Sequence, residues 1–217
     1  RETAVTAYEK LVGDDPGFLL ESVEGGERWA RWSFVGWNPE YTLTARDGVS
    51  AIDDPGVALP SGNPLEVLES LISNLTAAQY PGLPPLHTGA VGWMGYDAVR
   101  YVEHLPDRPE DDRGLPEMMW QFVGSLAAFD RLAQRITLVR NVYVGDDPEA
   151  QYDRAVADLD EAAATLGRPT GYRPREADWE ADLPPAESTL EKAPFEEAVR
   201  KAREYIFAGD AFQIVLS

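Results

Sequence analysis

The chain has 217 residues, and 19 Lys and Arg against 38 Asp and Glu give it a formal net charge of −19. This acidity argues against nucleic-acid binding, which needs clustered cations to meet the phosphates. No apolar run reaches the roughly 18–20 residues that cross a bilayer, and the first residues lack the apolar core of a signal peptide. Together with the absence of Cys, this is typical of a soluble cytoplasmic protein without nucleic-acid or membrane partners.

The amino-terminal half predicts a helix, a strand meander and a second helix. Thr3 is placed to cap the first helix, and residues 18–22 form a short apolar strand. Residues 31–37 and 41–45 are rich in aromatic and β-branched side chains, which favours two further strands. The second helix starts at Asn63-Pro64, because Pro suits the first helical position.

The carboxyl-terminal half predicts long strands followed by helices. Residues 118–130 and 135–144 form a hairpin, and Pro148 begins a helix that ends near Gly167. A Pro-rich acidic linker covers residues 168–188. Together with the elements before them, these segments predict an α+β protein of antiparallel sheets with outer helices.

The last segment predicts one more helix and one more strand. Pro194 starts the helix and Gly209 ends it. Residues 211–217 are an apolar run, which is typical of a strand that needs a neighbour and a covering layer. We therefore expect the chain to be a fragment that ends within a strand.

Residue types with obvious chemistry do not assemble into a catalytic or metal-binding pattern. Three Asp-Asp-Pro triplets, beginning at Asp14, Asp53 and Asp146, stand where turns or helix starts are expected. His87 and His104 lie in Pro-rich segments without a partner at ligand spacing. The residues alone therefore predict no catalytic residue and no metal ligand in this chain.

The end of the second predicted element combines apolar and polar groups. Leu20, Glu21 and Ser22 close the strand, and Arg31 follows nine residues later. A free amino acid needs acceptors for its ammonium group, a cation for its carboxylate and an apolar slot, and these residues could supply all three. Side chains alternate along a strand, so we expect Ser22 to line a pocket and Glu21 to support it from the other face. The alternative is a strand end whose polar groups meet only the following loop.

Three segments, residues 18–22 with 31–36, 92–106 and 208–217, resemble the anthranilate synthase component I family in order and spacing. The resemblance implies an enzyme that converts chorismate and ammonia to anthranilate and pyruvate with Mg²⁺. A glutamine amidotransferase subunit delivers the ammonia in that family. Its catalytic residues and magnesium ligands lie beyond the equivalent of Ser217, so this chain alone is expected to be inactive.

The same resemblance implies a feedback site for L-tryptophan. Leu20, Glu21 and Ser22 match the family's Leu-Glu-Ser element, and Arg31 is the expected carboxylate partner. Residues 1–187 would form the regulatory, glutaminase-facing domain, and residues 188–217 would begin the chorismate-binding core.

Two alternatives stay open on the sequence. One is aminodeoxychorismate synthase component I, a relative in the folate pathway that adds the amino group at a different carbon. The other is a stand-alone amino-acid-binding regulatory module without catalysis. Residues 97–100 and Glu21 directly before Ser22 resemble the anthranilate enzyme more than the folate enzyme.

Overall fold

A computed structural model describes residues 2–22, 31–106, 108, 110–171, 178–179, 181–182 and 184–216. The chain divides into two compact units, Arg1–Arg173 and Pro174–Ser217. The first unit holds all eight strands of the described part, three α-helices and one 3₁₀ helix, and the second unit holds one α-helix.

Helices and antiparallel strands are mixed, which confirms the predicted α+β class. The helices are α1 (Ala4–Leu11), α2 (Pro64–Ser73), α3 (Pro148–Leu166) and α4 (Lys192–Ala208), with a 3₁₀ helix at Tyr96–Tyr101. The strands are β1 (Gly17–Glu21), β2 (Trp32–Trp37), β3 (Thr42–Arg46), β4 (Val49–Ile52), β5 (Ala90–Met94), β6 (Met118–Phe122), β7 (Ser125–Asp130) and β8 (Arg135–Arg140). Within the described residues, no helix is long and apolar enough to cross a membrane.

Local signals explain where the helices begin and end. Thr3 accepts a hydrogen bond from the Thr6 N–H, and Asn63 accepts from the N–H groups of Leu65 and Glu66, so both act as N-caps. Gly209 ends α4 with φ at 87°, a left-handed conformation that glycine adopts without steric cost. The predicted start of α4 at Pro194 was two residues late, because the helix begins at Lys192.

The strands form two four-stranded antiparallel sheets. The first sheet has the order β1-β2-β7-β8, and the second has the order β4-β3-β6-β5. β2 pairs with β7 in the first sheet, and β3 pairs with β6 in the second. The chain therefore passes between the sheets twice, from β2 to β3 and from β6 to β7.

A tight corner marks these two crossings. Asn38, between β2 and β3, has φ at 46°, and a Cβ added to Gly124 would lie 1.9 Å from the Asn38 carbonyl oxygen. Only glycine fits there, because the connection from β6 to β7 passes very close to the backbone of the connection from β2 to β3. The single strand predicted over residues 118–130 is therefore divided into β6 and β7, with Val123 and Gly124 between them.

Each sheet has its own hydrophobic core. Under α1 and α3, the first sheet buries mostly small side chains: Ala4, Ala7, Val12, Val35, Trp37, Ala127, Phe129 and Ala162. Under α2, the second sheet buries mostly large ones: Tyr41, Leu43, Ala45, Val67, Leu68, Leu71, Met118 and Phe122. Short alanine side chains allow helices to approach a sheet closely.

The predicted strand at residues 211–217 was wrong over its described part. Residues 211–216 form no strand, and Ser217 is outside the described residues. A strand is defined by its ladder of hydrogen bonds, and an apolar run without a paired neighbour does not form one. The predicted linker at residues 168–188 lies partly outside the described residues.

Candidate functional site

The end of β1 presents its side chains to the two faces of the first sheet. Leu20 pairs with Phe34 of β2, and Glu21 pairs with Ser33. Because neighbouring residues of a strand point to opposite faces, Leu20 shares a face with Phe34, and Glu21 shares the other face with Ser33. Ser22 follows β1 directly and is partly buried.

Glu21 is held by a cation from the turn that follows β7. The Arg131 Nη2 donates to Glu21 Oε1 at 3.0 Å and to the Ser33 hydroxyl oxygen at 3.4 Å. Ser33 is 1% exposed, so its hydroxyl is bonded within the protein rather than to solvent. Glu21 is therefore fixed at the strand end from the face opposite Leu20.

Arg31 is bound in a two-pronged ion pair. Its Nε donates to Asp130 Oδ1 at 2.9 Å, and its Nη2 donates to Asp130 Oδ2 at 2.6 Å. The guanidinium also lies 5.0 Å from the ring centroid of Trp32, which stacks on Phe34 with ring centroids 6.0 Å apart. This arrangement fixes the plane of the guanidinium between a carboxylate and an aromatic ring.

Asp130 is the buried member of that pair. It is 2% exposed, and its Oδ1 also accepts from the backbone N–H groups of Leu132 and Ala133, each at 3.0 Å. The hydrogen bonds from Arg31 hold the pKa of Asp130 well below its usual range, against the opposing effect of burial. The carboxylate is therefore ionised across the whole neutral range.

A cavity of about 460 Å³ lies beside Glu21. That volume falls within the range of about 300–1,000 Å³ that is usual for small-molecule sites. Its lining combines charges of both signs with apolar side chains, and Glu21 is its one member among the four residues of the sequence hypothesis, because the cavity lies on the face of the sheet opposite Leu20. The lining residues are Glu2, Thr3, Ala4, Glu21, Ser33, Phe129, Asp130, Arg131, Gln134, Arg135 and Ile136.

The structure brings two of the four residues of the sequence hypothesis to neighbouring partners. Glu21 meets Arg131 and Arg31 meets Asp130, while Leu20 lies on the opposite face of the strand from Glu21. Sequence reasoning missed Asp130 and Arg131. In the sequence they stand out only as two opposite charges where an apolar strand ends. The pairing register of β2 with β7 is what places them beside Arg31.

The described residues provide no magnesium site. Among them, no three His, Asp or Glu side chains gather closely enough to hold a metal ion. His87 uses its Nδ1 in a contact with the Pro84 carbonyl oxygen at 2.9 Å.

Comparison with known proteins identifies the family. The sequence profile described as chorismate binding enzyme matches residues 15–217, nearly the whole chain. The chain belongs to the chorismate binding enzyme family. The predicted resemblance to anthranilate synthase component I is confirmed by the relatives that match.

Two curated relatives illustrate that match. Anthranilate synthase component 1 of Mycolicibacterium smegmatis is 40% identical over 223 residues, covering 100% of this chain and 42% of the relative. The enzyme of the same name from Thermus thermophilus is also 40% identical over 223 residues, covering 100% of this chain and 44% of the relative. The chain thus spans less than half the length of these relatives.

A solved structure gives the same result. The crystal structure of anthranilate synthase component I from Streptococcus pneumoniae matches with a TM-score of 0.61 and 26% sequence identity. The match covers 96% of this chain and 44% of that one. The fold described above is therefore shared with a protein of the predicted family.

Proposed function

We propose that this chain is part of an anthranilate synthase component I, which converts chorismate and ammonia to anthranilate and pyruvate in the cytoplasm. The observation that carries the proposal is the 40% identity to anthranilate synthase component 1 over the full length of the chain. Because the chain spans less than half of those relatives, we assign the chemical steps and the Mg²⁺ to residues outside it. A glutamine amidotransferase subunit is the proposed source of ammonia.

Within that enzyme, residues 1–187 are proposed to be regulatory and glutaminase-facing, and residues 188–217 to begin the chorismate-binding core. The character of α4 supports the second assignment. Phe195, Val199 and Ile206 recur at helical spacing and are each more than a third exposed. An apolar stripe of this kind suits a helix that packs against further protein.

The regulatory ligand that we propose is L-tryptophan, at the site formed by Leu20, Glu21, Ser22 and Arg31. In this assignment the Ser22 hydroxyl accepts from the ammonium group, and Arg31 meets the carboxylate through its Nη1. Leu20 and the stacked rings on its face of the sheet supply apolar surface for the indole. Glu21, tied to Arg131, supports the strand end from the opposite face.

Feedback inhibition through such a site requires two states with different affinities for L-tryptophan. L-tryptophan held at the end of β1 and the start of β2 would favour the state in which these strand ends lie closest to the groups that complete the site. The enzyme would then turn over chorismate more slowly as tryptophan accumulates. Neither state needs a catalytic group from residues 1–187.

An assay of the complete protein that contains this chain tests the proposed activity. The assay combines chorismate, ammonium and Mg²⁺ and follows anthranilate fluorescence, with and without L-tryptophan. We expect anthranilate formation that tryptophan suppresses. Formation of 4-aminobenzoate after addition of a lyase would instead identify the folate enzyme. Binding of tryptophan without formation of either product would favour the regulatory module without catalysis.

A serine substitution tests the site. Ser22→Ala removes one hydrogen bond to the ligand, so we expect half-inhibition to need about tenfold more L-tryptophan, with turnover unchanged. The matched control is Ser73→Ala, the same change at an exposed serine that ends α2. Equal inhibition of the Ser22→Ala variant and the wild type would reject Ser22 as a ligand residue.

A further inference from the structure

Two consecutive residues of opposite charge at the end of β7 each hold one residue of the proposed L-tryptophan site. We infer that Asp130 and Arg131 are positioning residues that set the geometry of that site without touching the ligand. The inference rests on the proposed function, because it concerns the regulation of that enzyme. Neither residue belongs to the predicted set of Leu20, Glu21, Ser22 and Arg31.

Asp130 sets the orientation of Arg31. Both carboxylate oxygens accept from the guanidinium, at 2.9 and 2.6 Å. The plane and the position of the Arg31 guanidinium are therefore both fixed. The carboxylate itself is fixed by the N–H groups of Leu132 and Ala133 in the following turn. An arginine that is 39% exposed would otherwise sample many rotamers, and a ligand would have to order it on binding.

Arg131 sets the end of β1. The order of the sheet is β1-β2-β7, so the Arg131 side chain reaches across β2 to meet Glu21 on the far strand. On its way it contacts the buried Ser33 hydroxyl, and its own backbone N–H donates to the Arg31 carbonyl oxygen at 2.9 Å. One side chain therefore ties three strand ends together directly before Ser22.

The two contacts together define a distance across the site. Arg31 directly precedes β2 and Ser22 directly follows β1, and residues 23–30 between them lie outside the described part. Among the described residues, the β1–β2 ladder and the ion pairs Arg31–Asp130 and Arg131–Glu21 relate these two ends. The spacing between the carboxylate-binding and ammonium-binding groups is thus set by Asp130 and Arg131.

The test measures L-tryptophan binding by calorimetry, since the chain has six Trp residues of its own that would mask a fluorescence change. It uses the complete gene product with Asp130→Asn, Arg131→Met and Arg131→Lys. We expect the first two variants to bind L-tryptophan about tenfold more weakly, and Arg131→Lys to recover most of the loss because it keeps the cation. The control is Arg140→Met, which breaks the ion pair with Glu40 at the opposite end of the same sheet.

A second ligand separates positioning from general destabilisation. Tryptamine has the indole and the ammonium group but no carboxylate, so Asp130→Asn should weaken L-tryptophan and leave tryptamine binding within twofold. Arg131→Met acts on the Ser22 side and should weaken both ligands. Equal losses for both ligands in Asp130→Asn would overturn the assignment of Asp130.

The remaining outcomes are also decisive. If Asp130→Asn does not fold, Arg131→Met decides, because Arg131 is 47% exposed and its loss leaves no buried charge. Variants that fold and bind L-tryptophan within twofold of the wild type would overturn the inference. If the wild-type protein makes anthranilate but binds no L-tryptophan, the proposed site itself is rejected. This result is distinguishable from failure of the inference, because it is seen without any variant.

Discussion

The two sheets of the first unit place their polar groups very differently. At the end of the first sheet, Asp130 and Ser33 are buried beside a cavity and bonded to Arg31 and Arg131. At one end of the second sheet, Arg46 pairs with Asp111 at 3.4 Å, and both side chains are about half exposed, while the mostly buried Glu117 pairs with Arg108. Buried polar groups stay fixed because leaving them unpaired is costly, whereas exposed pairs exchange easily with water. The first sheet therefore combines buried, fixed polar groups with a cavity beside them.

The cores of the two sheets also differ, in the size of the side chains that they bury. Large side chains fill the space beneath the second sheet, and Phe122 stacks on Tyr41 with ring centroids 4.2 Å apart. Small side chains let two helices approach the first sheet, and beyond Phe129 this core gives way to the cavity. The second sheet is thus chiefly a hydrophobic scaffold, and the first sheet ends in polar side chains beside a cavity.

The largest effect that we expect comes from emptying the core of the second sheet. Phe122→Ala removes a fully buried ring and should lower the free energy of unfolding by about 3–5 kcal/mol. Urea unfolding followed by circular dichroism measures the change. The control is Phe207→Ala on α4, where the ring is 81% exposed and the expected change is within about 0.5 kcal/mol. A loss below about 1 kcal/mol for Phe122→Ala would contradict this description of the core.

Overfilling the core of the first sheet should have a smaller effect. Ala162 of α3 is buried against this core, so Ala162→Leu should cost about 1–3 kcal/mol because the helix has to move outward. The adjacent Ala163 is exposed on the same helix, and Ala163→Leu should be nearly neutral. Similar urea midpoints for the two variants would show that α3 does not pack tightly on the sheet.

The smallest effect is a dependence on pH at the buried carboxylate. Because the pKa of Asp130 is lower in the folded chain than in the unfolded chain, its contribution to stability is complete above about pH 5 and is lost as acid is added below about pH 4. Asp130→Asn keeps an acceptor oxygen, so we expect the melting temperature to fall by only about 4 °C at pH 7.

That difference between wild type and Asp130→Asn should shrink steadily as the pH falls from about 5 to about 2.5. Thermal melts at a series of pH values measure it. The exposed Asp111→Asn is the control, with a difference close to zero throughout. A gap between wild type and Asp130→Asn that stays constant with pH would mean that the charge of Asp130 contributes nothing.

Local sequence predicted the helices well because their signals are local. A cap residue such as Thr3 or Asn63 acts on the N–H groups of the next three residues, and Gly209 supplies a left-handed conformation at one position. The strands of the meander were recognised for a similar reason, since alternation and turn residues are read within a short window.

The parts that sequence did not predict depend on distant partners. The division of residues 118–130 depends on Asn38, whose carbonyl leaves no space for a side chain at position 124. The strand expected at residues 211–217 depends on a neighbour to pair with. The contacts of Arg31 and Glu21 depend on the register that places Trp32 opposite Asp130, which no local pattern specifies. The four residues of the candidate site were therefore proposed from sequence, and their supporting residues Asp130 and Arg131 were not.

The double crossing between the sheets has a consequence for how the chain folds. The hairpin of β7 and β8 and the helices can form from nearby residues, but Phe34 pairs with Ala128 and Leu43 with Trp120. Closing these long loops costs entropy before either sheet gains its core, and proteins rich in such contacts fold in about milliseconds to seconds. Both sheets need the same two crossings, so we expect them to appear together in a single slow phase rather than one after the other.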